Sequence, residues 1–488
     1  MKISISNPPI PDIKGTPTIL QNRQYQVFSE PTYIYPMVPA YAATLLKKEG
    51  YKVIWDDAIA EEKNYAQWLM EVEKNSPDIM MIETKTPVIK RHWKIIDDIK
   101  KVSPRTKVVL VGDHVTALPK ESMEKSKVNY ILTGGDYDFL LLNLVKYLSG
   151  KAESLEPGIW YRENGEIKST GNFAPNHDLN SLPFIDRELT KWYLYAYKNG
   201  NFKRTPSTYT MVGRDCWWRK EGGCTFCAWS VLYPTFRARR PELLVDEIEE
   251  LVEKYKVREV FDDTGTFPVG KWLAKFANLM IERKLNEKIY FSCNMRFGAL
   301  NEEDYQLLKR AGFRMLLYGL ESASQKTLDM INKGVTAERI TKEIQWASKA
   351  GLEPHITIMV GYPWETREDA WSTFELAKYF FEKGWAKTLQ VTIVIPYPGT
   401  KLFEQAKKEG WLRTMDWDDY DMKMPVMKTP LPEEDVELMA RKIYQLFFTP
   451  GYIANRILTI RSLEDIRFIS RGLKKVLGHL KDFSVKKP

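Results

Sequence analysis

Short apolar runs alternate with longer stretches of helical periodicity along most of this chain, and that alternation constrains the fold more than any other feature. In the first third the apolar runs fall at 3–5, 52–55, 79–82, 107–111 and 130–132, with helix-like segments between them. Parallel strands need a crossover long enough to carry a helix, so this rhythm predicts a doubly wound parallel sheet with helices on both faces. A second series runs through 208–212, 259–262, 289–293, 314–318, 355–360 and 389–395. Six strand–helix units predict an open, partial barrel smaller than the closed eight-unit form. Between the two series, Pro157 and the turn Glu163-Asn164-Gly165-Glu166 predict a hairpin and a linker. The expected division is a doubly wound α/β domain at 1–150, a linker with a hairpin at 151–205, a partial (β/α)6 barrel at 206–405 and a mostly helical region at 406–488. A length of 488 residues accommodates two or three such units.

Composition narrows the class. Hydrophobic residues make up 44% and charged residues 28%, ordinary values for a globular chain. The start has no long apolar segment of the kind a secretory leader needs and no run of eighteen apolar residues occurs, so the reading is cytoplasmic. The formal charge is +8, yet residues 441–488 alone hold eleven Lys and Arg against three Asp and Glu, which accounts for the whole excess. A global polyanion-binding surface is therefore not indicated, and nothing matches an RNA-binding module. The basic tail, where Phe447, Tyr452, Ile453, Ile457, Leu458 and Ile460 intermix with Arg456, Arg461 and Arg467, is a candidate for peripheral membrane contact, against the plainer reading of a helical cap on the barrel.

Of four cysteines, three lie within twelve residues as Cys216-x7-Cys224-x2-Cys227, which rules out a distributed disulfide framework and suggests a metal. They follow the first apolar run of the second series, at the end of a barrel strand where barrel chemistry sits. Three thiolates can hold three irons of a four-iron cluster and leave the fourth open to an external ligand. The alternative is a structural zinc knuckle completed by Cys293 or a histidine. Cys293 itself lies within a strand-like run and reads as a buried, inert thiol.

With several further motifs in the same order, the sequence resembles the cobalamin-binding branch of the radical S-adenosylmethionine (SAM) superfamily. Phe226 matches the aromatic position against the SAM adenine. Phe261-Asp262-Asp263-Thr264 resembles the acidic end of the second barrel strand, Ser292 and Arg296 the polar pair on the third, and Tyr318-Gly319-Leu320-Glu321-Ser322 followed by Lys333-Gly334 the segment near the SAM ribose and carboxylate. The segment Gly361-Tyr362-Pro363-Trp364-Glu365-Thr366 and the turn Pro396-Tyr397-Pro398-Gly399-Thr400 complete the series. The resemblance implies metal ligands Cys216, Cys224 and Cys227, and SAM contacts at Phe226, Asp262, Asp263, Ser292, Arg296, Glu321 and Gly361. One departure is the first cysteine gap, four residues longer than the family's usual three.

The same resemblance makes the first domain Rossmann-like and cobalamin-binding. Strand-to-loop transitions at Gly112, Asp113, His114 and Thr116, at Gly134 and Gly135, and at Glu83 and Thr84 would approach the corrin. The Asp-x-His-x-x-Gly pattern that supplies an axial histidine elsewhere is absent, so the nucleotide base is expected to be displaced with no histidine below the cobalt. The implied cofactors are a 4Fe-4S cluster, SAM and cobalamin. The implied activity is reductive cleavage of SAM and, in the leading reading, methylation of an unactivated carbon or phosphorus centre through methylcobalamin. Alternatives are cyclisation, ring contraction or carbon–carbon bond formation in tetrapyrrole or lipid biosynthesis, and, from another class, a non-catalytic zinc-bearing scaffold with a basic docking tail. The implied partners are a small-molecule or lipid-like substrate and an electron donor such as flavodoxin or ferredoxin.

Overall fold

The computed structural model describes residues 1–11, 16–17, 27–28 and 33–482. Strands β1 (Lys2–Asn7), β2 (Lys52–Asp57), β3 (Ile79–Glu83), β4 (Lys107–Val111) and β5 (Tyr130–Leu132) pair in parallel in the order β2-β1-β3-β4-β5. This is the doubly wound order whose ligands sit beyond the strands' carboxyl ends, at the point where the winding reverses. Every residue of β3 is buried, as a strand covered by helices on both faces requires. Among the covering helices are α1 (Met37–Lys48), α2 (Tyr65–Asn75), α3 (Ile89–Val102) and α4 (Tyr137–Leu148). Helix α2 is started by a capping box in which Asn64 and Gln67 satisfy each other's backbone N–H groups.

The sheet does not stop at β5. Strands β6 (Ile159–Glu163) and β7 (Glu166–Ser169) form the expected hairpin, but β6 pairs antiparallel with β5. The hairpin is therefore the edge of the first sheet and not part of a free linker. Its pairing satisfies the edge N–H and C=O groups that β5 would otherwise expose.

Strands β8 (Ser207–Thr210), β9 (Glu259–Asp262), β10 (Tyr290–Met295), β11 (Phe313–Glu321), β12 (Glu353–Val360) and β13 (Thr388–Ile393) form the second sheet, parallel throughout and in sequence order. Helices α5 (Pro241–Glu253), α6 (Lys271–Glu282), α7 (Glu302–Arg310), α8 (Ala337–Lys349) and α9 (Arg367–Glu382) connect successive strands from β8 to β13. The carboxyl-terminal region contributes α10 (Glu433–Gln445), α11 (Pro450–Ile457) and α12 (Leu463–Asp482). No helix among the described residues is long and apolar enough to cross a membrane.

Two features join the halves. Arg214, just after β8, donates to Asp138 of α4 at 2.6 Å, with both side chains almost wholly buried. Glu247 of α5 is shared by Arg187 at 3.3 Å and Arg239 at 2.9 Å, and Arg239 also reaches the Tyr41 hydroxyl of α1 at 3.2 Å. The stretch after the barrel is less helical than its sequence suggests. A turn at Trp417–Asp419 docks on the first domain, where Lys90 meets Asp416 at 2.8 Å and Arg91 meets Asp418 at 3.0 Å.

Candidate active site

Cys216, Cys224 and Cys227 all line one cavity of about 750 Å³ that runs along the barrel interior from the loop after β8. The seven residues of the long cysteine gap are well ordered by their contacts. Trp217–Glu221 make a turn of 3₁₀ helix, and Gly222 and Gly223 follow at φ +88° and +67°, a backbone that non-glycine residues rarely adopt. Arg219 clamps Asp215 in a two-pronged pair at 2.7 and 2.9 Å. Asn332 donates to the carbonyls of Glu221 and Gly223 at 2.9 and 2.8 Å, and Lys401 to that of Gly222 at 2.9 Å.

The donor set suits a cluster better than a single ion. Cys293 is fully buried in the apolar core within β10 and does not line the cavity, so it offers no fourth ligand. Burial pushes the Cys227 thiol up to about 12 and also raises Cys216, which has Thr266 Oγ1 at 3.0 Å. Bound iron would reverse that penalty, because a coordinating thiol loses its proton outright. Trp217 Nε1 and Thr225 Oγ1, beside the cysteines in sequence, are buried without hydrogen-bond partners. Polar atoms in that condition call for a bound partner.

Three of the seven expected SAM contacts reach the cavity: Phe226, Arg296 and Glu321. The Arg296 guanidinium lies over the Trp218 ring at 3.8 Å and donates to the Lys333 carbonyl. Gly334, at φ +62°, leaves the space that the Trp218 ring fills. Glu321 pairs with Lys333 at 2.9 Å. Its φ of +65° and the irregular pairing of β11 with β12 between Gly319 and Glu321 mark a bulge that aims the carboxylate. A side chain at Gly319 would strike both members of that pair, at 2.1 and 2.6 Å.

The other four do not line the cavity. Asp262 is fully buried and accepts from Thr210 Oγ1 and Val212 N, both at 2.9 Å, so its carboxylate ties β9 to the end of β8; burial holds it up at about 6. Asp263 is 4% exposed and meets Asn294 at 3.5 Å. Ser292 is fully buried on β10. Gly361 donates its N–H to Glu365 at 2.6 Å and leaves room for Val436 of α10. These positions build the walls behind the site.

Of the eight expected corrin contacts, Asp113 lines the cavity and the other seven do not; Ile34, ahead of α1, lines it as well. Asp113 and His114 open a short helix, Asp113–Ala117, where the sequence suggested a loop. Lys85 stands 3.2 Å from Asp113 and 4.0 Å from Glu83, and Tyr137 donates to Glu83 at 2.9 Å. Burial raises Glu83 to about 7. Thr84 Oγ1 is bonded to His92 at 2.7 Å. Both ring nitrogens of His114 are engaged, by Thr86 at 3.1 Å and Glu121 at 3.3 Å, and Trp417 packs edge-on against the ring at 5.4 Å. Thr116 Oγ1 donates to the Gly112 carbonyl at 2.7 Å and accepts from Gly134 N at 3.0 Å. The space left by the glycines is filled by protein: the Thr84 carbonyl at Gly112, the Phe173 ring at Gly134 and the Tyr233 ring at Gly135.

Residues absent from the expected set complete the lining. Asn294 on β10, Thr357 on β12, and Gln390 and Thr392 on β13 face the interior, as do Lys333 and Thr266. Alternation along the strands would have found the first four, since residues two apart share a face. Lys333 needed the long-range pairing with Glu321.

Residues 211–377 match the radical SAM superfamily. An uncharacterized methyltransferase of Pyrococcus horikoshii is 28% identical over 85% of this chain and 87% of its own. The anaerobic magnesium-protoporphyrin IX monomethyl ester cyclase of Rubrivivax gelatinosus is 27% identical over 85% of this chain and 73% of its own. Among solved structures, the cobalamin-dependent SAM radical enzyme OxsB, with aqua-cobalamin and SAM bound, matches with a TM-score of 0.70 at 15% identity over 98% of this chain and 71% of its own. The radical SAM methyltransferase TsrM of Kitasatospora setae, with cobalamin and a 4Fe-4S cluster bound, matches at 0.66 and 14% identity over 99% of this chain and 100% of its own. The cysteine-bearing barrel at 211–377 thus matches the radical SAM superfamily, and the chain shares its fold with these two enzymes along almost its whole length.

Proposed function

We propose that the protein is a methyltransferase that cleaves SAM reductively and methylates an unactivated carbon or phosphorus centre with the help of cobalamin. The observation that carries the reading is the convergence of three thiols, Arg296 and the Glu321–Lys333 pair on one cavity, with Asp113 of the first domain reaching the same space. Cys216, Cys224 and Cys227 would hold a 4Fe-4S cluster, which would supply the electron for SAM sulfonium cleavage, and bound cobalamin would supply the transferable methyl group.

The chain's own residues bind and position. Cys216, Cys224 and Cys227 hold the cluster, and Phe226 gives the adenine an apolar face. Glu321 accepts from the methionyl ammonium or a ribose hydroxyl, while Lys333 fixes its direction. Arg296, braced by Trp218, presents a cation to the methionyl carboxylate. Met295, Leu317 and Met359 line the space beyond and exclude water from it. In the first domain, the reading rests on the doubly wound fold and Asp113, because the three loop glycines are already packed against protein.

The test is anaerobic enzyme loaded with iron and cobalamin, given SAM and a reductant. The reading expects 5′-deoxyadenosine and methionine, together with S-adenosylhomocysteine that appears only when cobalamin is present. Deoxyadenosine without homocysteine product would favour the cyclisation reading, to which the magnesium-protoporphyrin cyclase relative lends support.

A further inference from the structure

The cavity does not end in the barrel. Beyond the thiols its wall turns polar, with Thr357, Gln390 and Thr392, and with His355 and Thr388 bonded to each other at 2.8 Å. Further from the thiols it is mixed, where Tyr452, Phe468 and Val476 close over the strands together with Arg456, Lys475 and His479 of the same helices, α11 and α12. Four of its lining residues are at the surface as well: Phe448 at 39%, Ile453 at 43%, Ile457 at 61% and Leu473 at 48% exposure. These mark a mouth between α11 and α12. A cavity with polar groups on its inner strands and aromatic and aliphatic side chains among cations at its opening matches an amphiphile with an anionic or polar end and a long apolar chain.

The surface around the mouth is built to match. Along α12 the exposed positions fall on one stripe: Leu463, Ile466, Arg467, Ser470, Leu473, Lys474, Leu477 and Lys481. Leu463 is 73% exposed, Ile466 49% and Leu477 48%, and Leu458, just after α11, is 69% exposed. A soluble helix of this amphipathic type normally turns such side chains inward. Of the acidic residues near the start of α12, Asp465 points inward, 4% exposed and in contact with Lys203 and Arg204, while the partly exposed Glu464 is paired with Arg258 and Arg204. Segment 450–482 carries seven Lys and Arg against three Asp and Glu. Leucine and isoleucine flanked by outward cations fit an anionic bilayer, whose headgroups meet the cations while its acyl region takes the aliphatic side chains. Nucleic acid would call for stacking aromatics, which this stripe lacks.

The geometry points to a lipid substrate: α11 and α12 dock on an anionic membrane, and an amphiphile enters the mouth between them with its polar end toward the thiols and its chain trailing in the opening. This deepens the methyltransferase reading and rests on it for the reaction alone.

The test uses the full chain without SAM, so its outcome is separate from SAM cleavage. Flotation with phosphatidylglycerol–phosphatidylcholine vesicles is compared with flotation on phosphatidylcholine alone. Binding is expected only to the anionic vesicles, to weaken with salt, and to fall about tenfold or more in Leu458→Asp/Leu477→Asp. Neither of those residues lines the cavity, so the variant should keep wild-type circular dichroism and reductive SAM cleavage. Entry is read by transfer of parinaric acid from the vesicles to the protein. Gly472 lines the cavity, and a Cβ added there meets nothing within 4 Å. Gly472→Trp should therefore fold, float normally and lose parinaric acid uptake. Absence of flotation, flotation unchanged in the double aspartate variant, or uptake unchanged in Gly472→Trp would overturn the proposal. So would binding to polyuridylate without flotation, which would assign the face to nucleic acid.

Discussion

Glu321 and Lys333 show how one pair sets both geometry and charge. The pair occupies space that Gly319 leaves vacant, and the bulge in β11 turns Glu321 toward the cavity. Glu321→Gln removes the charged acceptor but keeps the shape, so it is expected to raise the KM for SAM about tenfold, or about 1.4 kcal/mol, while iron content stays at the wild-type level. Asp262 looked equivalent in sequence, but its carboxylate is used by Thr210 and Val212. Asp262→Asn should accordingly lower thermal stability, by about 1–3 kcal/mol, with little change in that KM. Residue type in a motif was legible here; which acidic group lines the cavity was not, because that depends on which strand-end N–H groups lie in reach. A pH effect belongs to the first domain. Burial disfavours charge on His177, but hydrogen bonds to Asp136 at 3.0 Å and Glu156 at 2.9 Å outweigh it and raise its pKa to about 9, with Arg237 also on Asp136. The raised value means that His177 contributes stability fully below about 6.5, and that this contribution disappears as pH rises through 9. The melting temperature should fall across that window, and His177→Gln should flatten the fall.

The cysteine loop is the element whose length departs from the family pattern, and its ties explain how seven residues stay in place. Asn332 holds two of its carbonyls, and the Trp218 indole donates to the Asn332 carbonyl at 2.8 Å. Asn332 has φ +53°, so Asn332→Gly removes the side-chain bonds without straining the backbone. The expected result is several-fold faster iron loss to a chelator at nearly unchanged global stability. The sequence revealed the loop's length and its glycines. It could not reveal its anchors, because Asn332, Arg296 and Lys401 come from elements far along the chain. The same limit explains the tail: periodicity predicted its helices, whereas the docking of Trp417 on His114 required the assembled first domain.

At the scale of the whole molecule, the alternation of apolar runs and helical stretches was enough to give two parallel sheets and six barrel strands, since period and crossover length are local properties. The hairpin was visible too, but its union with the first sheet was not, because an edge strand's partner is set by which N–H and C=O groups remain open. One of the two ties between the halves is the buried Arg214–Asp138 pair. Asp138→Ala strands the Arg214 charge in the interface and is expected to cost about 3–5 kcal/mol, read as a lower denaturant midpoint. The two sheets thereby bring Asp113 and the three thiols to one cavity, and the chemistry there depends on what those thiols bind. Iron quantification, Mössbauer spectroscopy and SAM cleavage on one anaerobically reconstituted preparation test it most directly: about four irons per chain in a cluster, with 5′-deoxyadenosine and methionine formed on reduction, is the predicted result. One tetrahedral zinc on the same thiols, with SAM left intact under the same reductant, would contradict it.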